Sequence, residues 1–458
     1  MLTTQIDATL RELIPGSAIY PSSYLYFGCA SMGLFAELNL PCYLEPRLLR
    51  RYETLIKEHS QVNPANAPGI KALANHQQTW SASQAAWRFF NNDNATFPML
   101  SSPLMALARE AATASRSRYL LVAHDWCSCN FTHHRSKLDK AQLSHARDIG
   151  YELQASLLID GVSGHPLAPL GLNLHTASGV YQCREVEPQP TQPHLEELLS
   201  RIQWQESLGL DKSLVHVVDR EADSIAHLRH LSRYHWLTRC KRDSTLLHDG
   251  QHKRIEQIAR SLPTTLMGPV SLRGKQGFLF VGEAQVALQR KSEARMIIEP
   301  PPARLVLSLV VDEHGKELAS WYLLSNLTDV TASELAQWYC WRWNIESWFK
   351  LLKSDGFQLE QWQQTNGAAV FRRLMVCSMA CTLAFRLYED EGEDARQLKT
   401  FLVRLSGRVT KRAKPVTLPA LLAGLYLFLQ MQEVMSTYTA EELKELTRIA
   451  SRFFGQLV

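Results

Sequence analysis

The sequence lacks a strong charge of either sign, a repeated cysteine pair and a long apolar run. Its 49 Lys and Arg residues against 45 Asp and Glu residues give a formal net charge of only +4. Any nucleic-acid-binding surface must therefore come from local clusters of basic side chains. The nine cysteines show no repeated C-x-x-C spacing and follow no signal peptide, so we expect reduced thiols and a cytoplasmic protein.

No apolar run approaches the roughly 20 residues that a membrane-spanning helix needs. The nearest is L-P-A-L-L-A-G-L-Y-L-F-L-Q at 418–430, which is short and opens with Pro419. We expect a buried or interface helix there and no association with a membrane. Internal repeats and low-complexity tracts are also absent from the sequence, which argues against a solenoid or a disordered chain.

With 458 residues the chain is too long for one compact core, and we expect two or three domains. Residues 1–95 and 396–458 have helical texture, whereas 96–395 mixes strands and helices. Strand-like alternation and Gly-containing turns, such as Arg273-Gly274-Lys275, mark about 241–316 as a β-rich insertion. Within the C-terminal region, the stretch from Arg396 to Lys414 is the most basic of the chain. Such a run is often only a solvated helix face, and the alternative is contact with DNA.

Two short apolar runs each end in an acid. These are Y-L-L-V-A-H-D, which ends at Asp125, and L-V-H-V-V-D, which ends at Asp219. An Asp after a strand is often just a turn former, but two buried strands of this kind indicate an α/β core with a site at the strand ends.

A third acid, Glu346, lies in Y-C-W-R-W-N-I-E-S-W-F-K-L-L-K, which predicts a single amphipathic helix. Offsets of three, four and seven residues place Tyr339, Arg342 and Glu346 on one face, with Lys353 further along it. The alternative is a surface helix with an i,i+4 ion pair between Arg342 and Glu346.

Together Asp125, Asp219 and Glu346 supply the oxygen ligands that two hard divalent cations need. Such a pair of ions suits phosphoryl transfer on a phosphodiester. A rival zinc site would use His124, Cys127 and Cys129 with the histidines that follow at 133 and 134. It is disfavoured because neighbouring residues of a strand point to opposite faces.

The motif D-R-E-A-D at 219–223 and the spacing Y-x-x-R-x-x-x-E-x-x-x-x-x-x-K from Tyr339 to Lys353 resemble the signatures of the insertion-sequence-four family of bacterial transposases. The segments A-A-W-R-F-F-N at 85–91 and W-Y-L-L at 321–324 are similar to further parts of that family. The resemblance implies an RNase H-like mixed-sheet core, flanked by helical regions of which the N-terminal one binds DNA and the C-terminal one dimerises and contacts DNA.

Residue by residue, the resemblance implies that Asp125, Asp219 and Glu346 are catalytic and hold two Mg²⁺ ions, for which Mn²⁺ can substitute. It implies that Tyr339, Arg342 and Lys353 contact phosphates of the transposon end, and Arg220 of the D-R-E-A-D motif is a further DNA-binding candidate. Trp321 matches the position on which a flipped base stacks, although a buried core tryptophan is the alternative. The residues after the first acid, Trp126 to Cys129, depart from the family pattern.

The implied function is cut-and-paste transposition of an insertion sequence, with terminal inverted repeats of double-stranded DNA as substrate. The implied enzyme cleaves through a hairpin intermediate, joins the 3′ ends to target DNA and acts as a homodimer in a synaptic complex. A nucleoid-associated location in a bacterial cytoplasm follows. Two alternatives remain open: a degenerate RNase H-like nuclease, and a non-catalytic DNA-binding repressor of transposition.

Overall fold

One large mixed β-sheet organises the molecule. The computed structural model describes residues 35, 38, 40–60, 76–143, 145, 147–272, 275–290, 292, 299–407 and 416–455. Within them 13 strands form a single sheet, whose main path runs β5-β4-β3-β1-β6-β7-β13-β12-β11-β8-β9, while β10 pairs with β11 and β2 with β3. The predicted mixed α/β class is thereby confirmed.

The strands are β1 (Tyr119–Asn130), β2 (Ala141–Gln142), β3 (Ile149–Asp160), β4 (Pro166–Thr176), β5 (Gly179–Gln182), β6 (Ser213–Val218), β7 (His235–Cys240), β8 (Thr245–His248), β9 (Gln251–Arg254), β10 (Thr265–Leu272), β11 (Lys275–Ala287), β12 (Pro302–Val311) and β13 (Glu317–Ser325). The α-helices are α1 (Pro46–His59), α2 (His76–Phe90), α3 (Phe97–Ala114), α4 (His194–Ser207), α5 (Ile225–His230), α6 (Ile255–Arg260), α7 (Ala332–Trp341), α8 (Trp343–Lys350), α9 (Gly367–Glu389), α10 (Glu393–Leu405), α11 (Leu418–Thr437) and α12 (Ala440–Phe454).

Parallel pairing at the centre of the sheet brings the two predicted aspartates together. Strand β1 runs parallel to β6, and β6 runs parallel to β7. The β1–β6 ladder ends where Ala123 pairs with Val217. Asp125 and Asp219 each lie two residues beyond that last pair, so both carboxylates emerge at the same edge of the parallel ladder.

The prediction that the first strand ends at Asp125 is wrong. Strand β1 continues to Asn130, because its second half pairs with antiparallel β3, from Asp125 opposite Ala155 to Asn130 opposite Gly150. Asp125 therefore lies within a strand, at the point where β1 loses its partner on one side and keeps the other.

Residues 241–316, predicted as a β-rich insertion, contain strands β8 to β12 and the short helix α6. They extend the same sheet, since β13 pairs with both β7 and β12. Of the turn predicted at Arg273-Gly274-Lys275, the first two residues lie outside the described ones. The proposed domain boundaries at 95 and 395 remain predictions.

Among the described residues, two helices are long and apolar enough to cross a membrane by length and composition alone. The apolar part of α9 is 89% buried inside the protein, as expected of a core helix, but that of α11 is only 22% buried. Helix α11 buries Leu421 and Leu422 near its start and exposes Met431 and Met435 near its end. Of the buried or interface helix expected at 418–430, only the part near its start, from Ala420 to Gly424, is largely buried, and the interface alternative remains a prediction.

The basic stretch of the C-terminal region is described only in part. Arg396, Lys399 and Arg404 lie on α10, and the Lys399 ammonium donates hydrogen bonds to the carbonyls of Tyr388, at the end of α9, and Asp390, just after it. The four basic residues from Arg408 to Lys414 lie outside the described residues.

Candidate active site

Three separate elements deliver the three predicted carboxylates to one place. Asp125 comes from β1, Asp219 follows β6, and Glu346 comes from α8. The Asp219 side chain also accepts a hydrogen bond from the backbone N–H of Arg220 at 2.7 Å and so caps a 3₁₀ turn over Arg220–Ala222. The aspartate thus starts a new helical turn through its Oδ1.

The predicted single helix from Tyr339 to Lys353 is interrupted. Helix α7 begins with a capping box between Thr331 and Glu334 and ends at Trp341, and α8 begins at Trp343. Between them the backbone N–H of Arg342 shares its hydrogen bond between two carbonyls, both at 3.3 Å. A π-turn follows over Leu351–Asp355. Arg342 keeps helical dihedral angles (φ −51°, ψ −31°), so Tyr339, Arg342 and Glu346 still share one face; such 3₁₀ and π interruptions are frequent at functional sites.

A single guanidinium, that of Arg342, joins the three carboxylates. Its Nη1 donates to Asp125 Oδ2 at 2.9 Å, and its Nη2 donates to Glu346 Oε1 at 2.9 Å. Asp219 Oδ2 lies 3.7 Å from Nη2. The arginine side chain is only 3% exposed, whereas the three acids are 22–36% exposed, so the cation forms the floor of the site and the carboxylates face the opening.

Two further side chains hold Asp219. The Tyr339 hydroxyl donates to Asp219 Oδ1 at 3.1 Å, and Arg239 Nη1 lies 3.7 Å from the same oxygen. Arg239 was not predicted from the sequence. Its signal was its place near the end of the apolar run W-L-T-R-C, which forms β7 next to β6 in the sheet.

Burial and the charges of neighbouring carboxylates raise the pKa of Asp125 and of Glu346. Burial raises the pKa of Asp125, and Asp219 adds to this, although the Arg342 guanidinium acts in the opposite direction. Burial likewise raises the pKa of Glu346, again opposed by Arg342. Burial alone would lower the pKa of Arg342, but Tyr339 and the three carboxylates outweigh it and hold that pKa above its usual value.

The donor set suits a hard divalent cation, because it consists of carboxylate oxygens on three rigid elements. In the arrangement described, Arg342 lies among these oxygens, and within the described residues no three His, Cys, Asp or Glu side chains are grouped closely enough to hold a metal ion. The carboxylate oxygens are of the type that binds Mg²⁺. In this arrangement, however, the three carboxylates are paired with the Arg342 guanidinium.

The other predicted DNA-binding residues lie at different depths. Lys353 donates to the carbonyl of Ser128 on β1 at 2.6 Å and pairs with Glu360 at 3.0 Å. Arg220 is exposed beside Asp219. Trp321 is 7% exposed, and its ring centroid lies 6.0 Å from that of Tyr339. The structure thus has Trp321 in the core behind the site, and a base could stack on it only after this packing opens.

The rival zinc interpretation does not survive the contacts of His124. Its Nε2 is hydrogen-bonded to His216 Nδ1 at 2.9 Å and its Nδ1 to Ser156 at 2.9 Å, while His216 Nε2 reaches Glu206 at 2.9 Å. Asp125, the next residue, points to Arg342 instead. His124 therefore belongs to a buried hydrogen-bond chain on the sheet face opposite Asp125, as the alternation of a strand predicts.

Comparison with known proteins agrees with this site. A family described as the transposase DDE domain matches residues 190–383, a range that contains Asp219, Trp321, Tyr339, Arg342 and Glu346 but begins after Asp125. No curated protein matches the chain. The match supports a DDE transposase family, an enzyme that acts on DNA, and the divalent metal ions that such enzymes generally use.

Proposed function

We propose that the protein is a cut-and-paste DNA transposase of the insertion-sequence-four type, with Asp125, Asp219 and Glu346 as its catalytic acids. The observation that carries the proposal is the convergence of these three carboxylates, from strand, strand end and helix, on the single guanidinium of Arg342. The transposase DDE similarity over 190–383 supports it independently.

An RNase H-like core is part of the proposal. Five neighbouring strands in the order β4-β3-β1-β6-β7 support it, with β3 antiparallel to β1 and with β6 and β7 parallel to β1. In this arrangement Asp125 lies within β1 just beyond its parallel pairing with β6, Asp219 follows β6, and Glu346 comes from a helix much later in the chain.

Asp125, Asp219 and Glu346 would hold the two Mg²⁺ ions, which when bound activate an attacking hydroxyl and stabilise the leaving oxygen of the phosphodiester. Tyr339 and Arg239 keep Asp219 in place through its Oδ1. Arg342 and Lys353 offer cationic donors to DNA phosphates, which requires each of them to exchange a carboxylate partner for a phosphate.

The proposed reaction needs no covalent protein–DNA intermediate. Water attacks phosphorus at the transposon end and releases a 3′-hydroxyl. That hydroxyl attacks the opposite strand, which gives a hairpin and expels the flanking DNA; water then opens the hairpin, and the freed 3′ ends attack target DNA. Two ends handled together call for a homodimer, and Trp321 is the proposed stacking partner of a flipped base.

The test is Mg²⁺-dependent cleavage of DNA that carries the element's terminal repeats and their flanks. We expect wild type to cut at the repeat boundary and Glu346→Gln to bind the same DNA but to cut it about 10³-fold more slowly or not at all. Glu313→Gln, which neutralises an exposed carboxylate in the β12–β13 turn, is the matched control and should cut like wild type. Undiminished cleavage by Glu346→Gln would overturn the catalytic assignment.

A further inference from the structure

A second cationic feature lies outside the carboxylate site, at the junction between the D-R-E-A-D motif and the β-rich insertion. A cleft of about 660 Å³ opens there. Its lining includes the basic side chains of His252, Arg254 and Arg290. Hydroxyl groups of Ser224, Ser244 and Thr245 line it as well, so the cleft offers donors of the kinds that bind phosphate oxygens.

The one acid in the described lining, Asp223, is occupied by the protein itself. Its Oδ2 accepts hydrogen bonds from the backbone N–H of Lys241 at 2.9 Å and from Ser244 at 3.3 Å, and Lys241 Nζ lies 3.7 Å from its Oδ1. Asp223 thus fixes the turn between β7 and β8 and is largely neutralised there. The described lining holds no other carboxylate to offset the charge of the two arginines.

Two observations point to a ligand. The Nε2 atom of His252 is buried and has no hydrogen-bond partner in the described part of the chain, although buried ring nitrogens normally have one. Arg290 donates a hydrogen bond to Ser224 at 3.3 Å and so links the far side of the insertion to the motif. Its guanidinium is a second cation at the cleft wall. An anion that enters the cleft would accept from His252 and meet both arginines.

The position of the cleft relative to the catalytic acids suggests which anion this is. Asp219 and Asp223 are separated by one 3₁₀ turn, which at about 2 Å per residue spans roughly 8 Å. Exposed Arg220 and Arg242 lie on the two segments that approach the cleft. A DNA strand whose scissile phosphate lies at Asp219 could therefore run past these cations and place a neighbouring phosphate in the cleft.

We propose that this cleft is a second binding site for the DNA backbone, which takes a phosphate of the strand that flanks the cleaved bond. The inference rests on the proposed transposase function. It assigns to His252, Arg254 and Arg290 a positioning role that is independent of base sequence.

The test measures affinity for a fluorescein-labelled 30-base-pair duplex of arbitrary sequence over a series of salt concentrations. Each phosphate contact contributes about 0.9 to the slope of log K against log salt for duplex DNA. We expect Arg254→Gln to lower that slope by about 0.9 and Arg254→Gln/Arg290→Gln to lower it by about 1.8. Arg254 is exposed, so an unchanged melting temperature should accompany the loss.

Lys316→Gln is the matched control. Lys316 is an exposed cation in the turn between β12 and β13, close to the Phe278 end of β11, whereas the cleft lies near its Ala287 end. The nine residue steps along the strand from 278 to 287 place the two sites about 30 Å apart. A full slope in Lys316→Gln with a reduced slope in Arg254→Gln supports the cleft.

Equal losses in both variants would show only a general effect of charge, and no loss in Arg254→Gln would exclude a phosphate contact; either result overturns the inference. Because the duplex has arbitrary sequence, these results do not depend on cleavage. Failure of the wild type to cut its terminal repeats would instead overturn the proposed function.

Discussion

The Arg342 guanidinium donates a hydrogen bond to Asp125 at 2.9 Å across 217 positions of the sequence. This contact ties the interrupted helix α7–α8 to strand β1, on the side where β1 has lost its parallel partner. A second bond from the same side chain reaches Glu346, one turn away. The site is therefore preassembled around a cation of the protein itself, and its response to substitution can be predicted from that fact.

Replacing Arg342 should change how the acids bind a divalent cation. Arg342→Gln removes the positive charge with which a metal ion competes for the three carboxylates. We expect the DNA-free variant to bind Mn²⁺ at least about tenfold more tightly than wild type at pH 8. Isothermal titration calorimetry measures this directly.

The matched control is Arg239→Gln, which removes a cation 3.7 Å from Asp219 alone and should have a smaller effect. Equal affinities of wild type and Arg342→Gln would contradict the view that this guanidinium and the metal ion use the same oxygens.

The stability of the protein should record the raised pKa of Asp125. Burial raises this pKa in the folded state, so protonated Asp125 is favoured by folding. Its contribution to the free energy of unfolding is complete below the unfolded-state pKa of about 3.9. That contribution is lost as the pH rises through the folded-state pKa. Without divalent cations, Asp125→Asn should therefore match wild type in melting temperature at low pH and exceed it increasingly towards pH 7.

Asp312 supplies a control of opposite sign. Backbone hydrogen bonds from Lys316 and His314 lower its pKa, so its contribution is present near neutral pH and is lost as the pH falls through the folded-state pKa. Asp312→Asn should be less stable than wild type at pH 7, with the difference fading in acid. If Asp125→Asn behaved in the same way, the sign assigned to Asp125 would be wrong.

Tyr339→Phe should reduce cleavage while leaving the fold intact. The ring stays packed, but the hydrogen bond from its hydroxyl to Asp219 is lost. A bond to a charged group contributes about 1.5–3 kcal/mol, so a cleavage rate at least about tenfold lower is expected.

Tyr151→Phe removes a comparable hydrogen bond, from a buried tyrosine to Asp139 at 2.5 Å, away from the three acids. Cleavage by this variant should equal that of wild type. Equal losses in the two variants would mean that the effect of Tyr339→Phe comes from weakened packing and not from Asp219.

Trp321→Ala tests whether Trp321 is a buried core residue or an accessible surface for a stacked base. Because Trp321 is buried against Tyr339, we expect the free energy of unfolding to fall by about 3–5 kcal/mol. Trp321→Phe fills most of the space and should recover most of that loss. Unfolding free energies from denaturant titration that stay at the wild-type value in Trp321→Ala would place the side chain outside the core.

The spacing of residues in the sequence correctly placed Tyr339, Arg342 and Glu346 on one helix face. It did not predict that the helix is interrupted at Arg342. The ion pair of Arg342 and Glu346, which the sequence offered only as part of the surface-helix alternative, is present at 2.9 Å, and Arg342 contacts Asp125 as well. The same spacing carries no information about Asp125, whose distance in sequence makes its contact purely tertiary. The break at Arg342 is also invisible locally, since its dihedral angles remain helical.

Apolar runs predicted the strands wherever both faces are buried, as for residues 119–124 and 214–218. They failed for the second half of β1, from Trp126 to Asn130, because these residues do not form a continuous buried apolar run. Their strand conformation comes from pairing with β3. They also failed for most of α11, since apolar composition alone does not say whether a helix is covered. Arg239 was missed because only the order of strands in the sheet brings β7 beside Asp219.

The alternation of β1 makes its length as important as its residues. His124 serves the hydrogen-bond chain on one face of the sheet, and Asp125 serves the carboxylate site on the other. Loss or gain of one codon between residues 119 and 124 would rotate every later side chain of the strand to the opposite face. An imidazole or an indole would then stand among the acids, and a carboxylate would stand without its cation beside His216. This short segment of β1 thus tolerates substitution far better than a change of length.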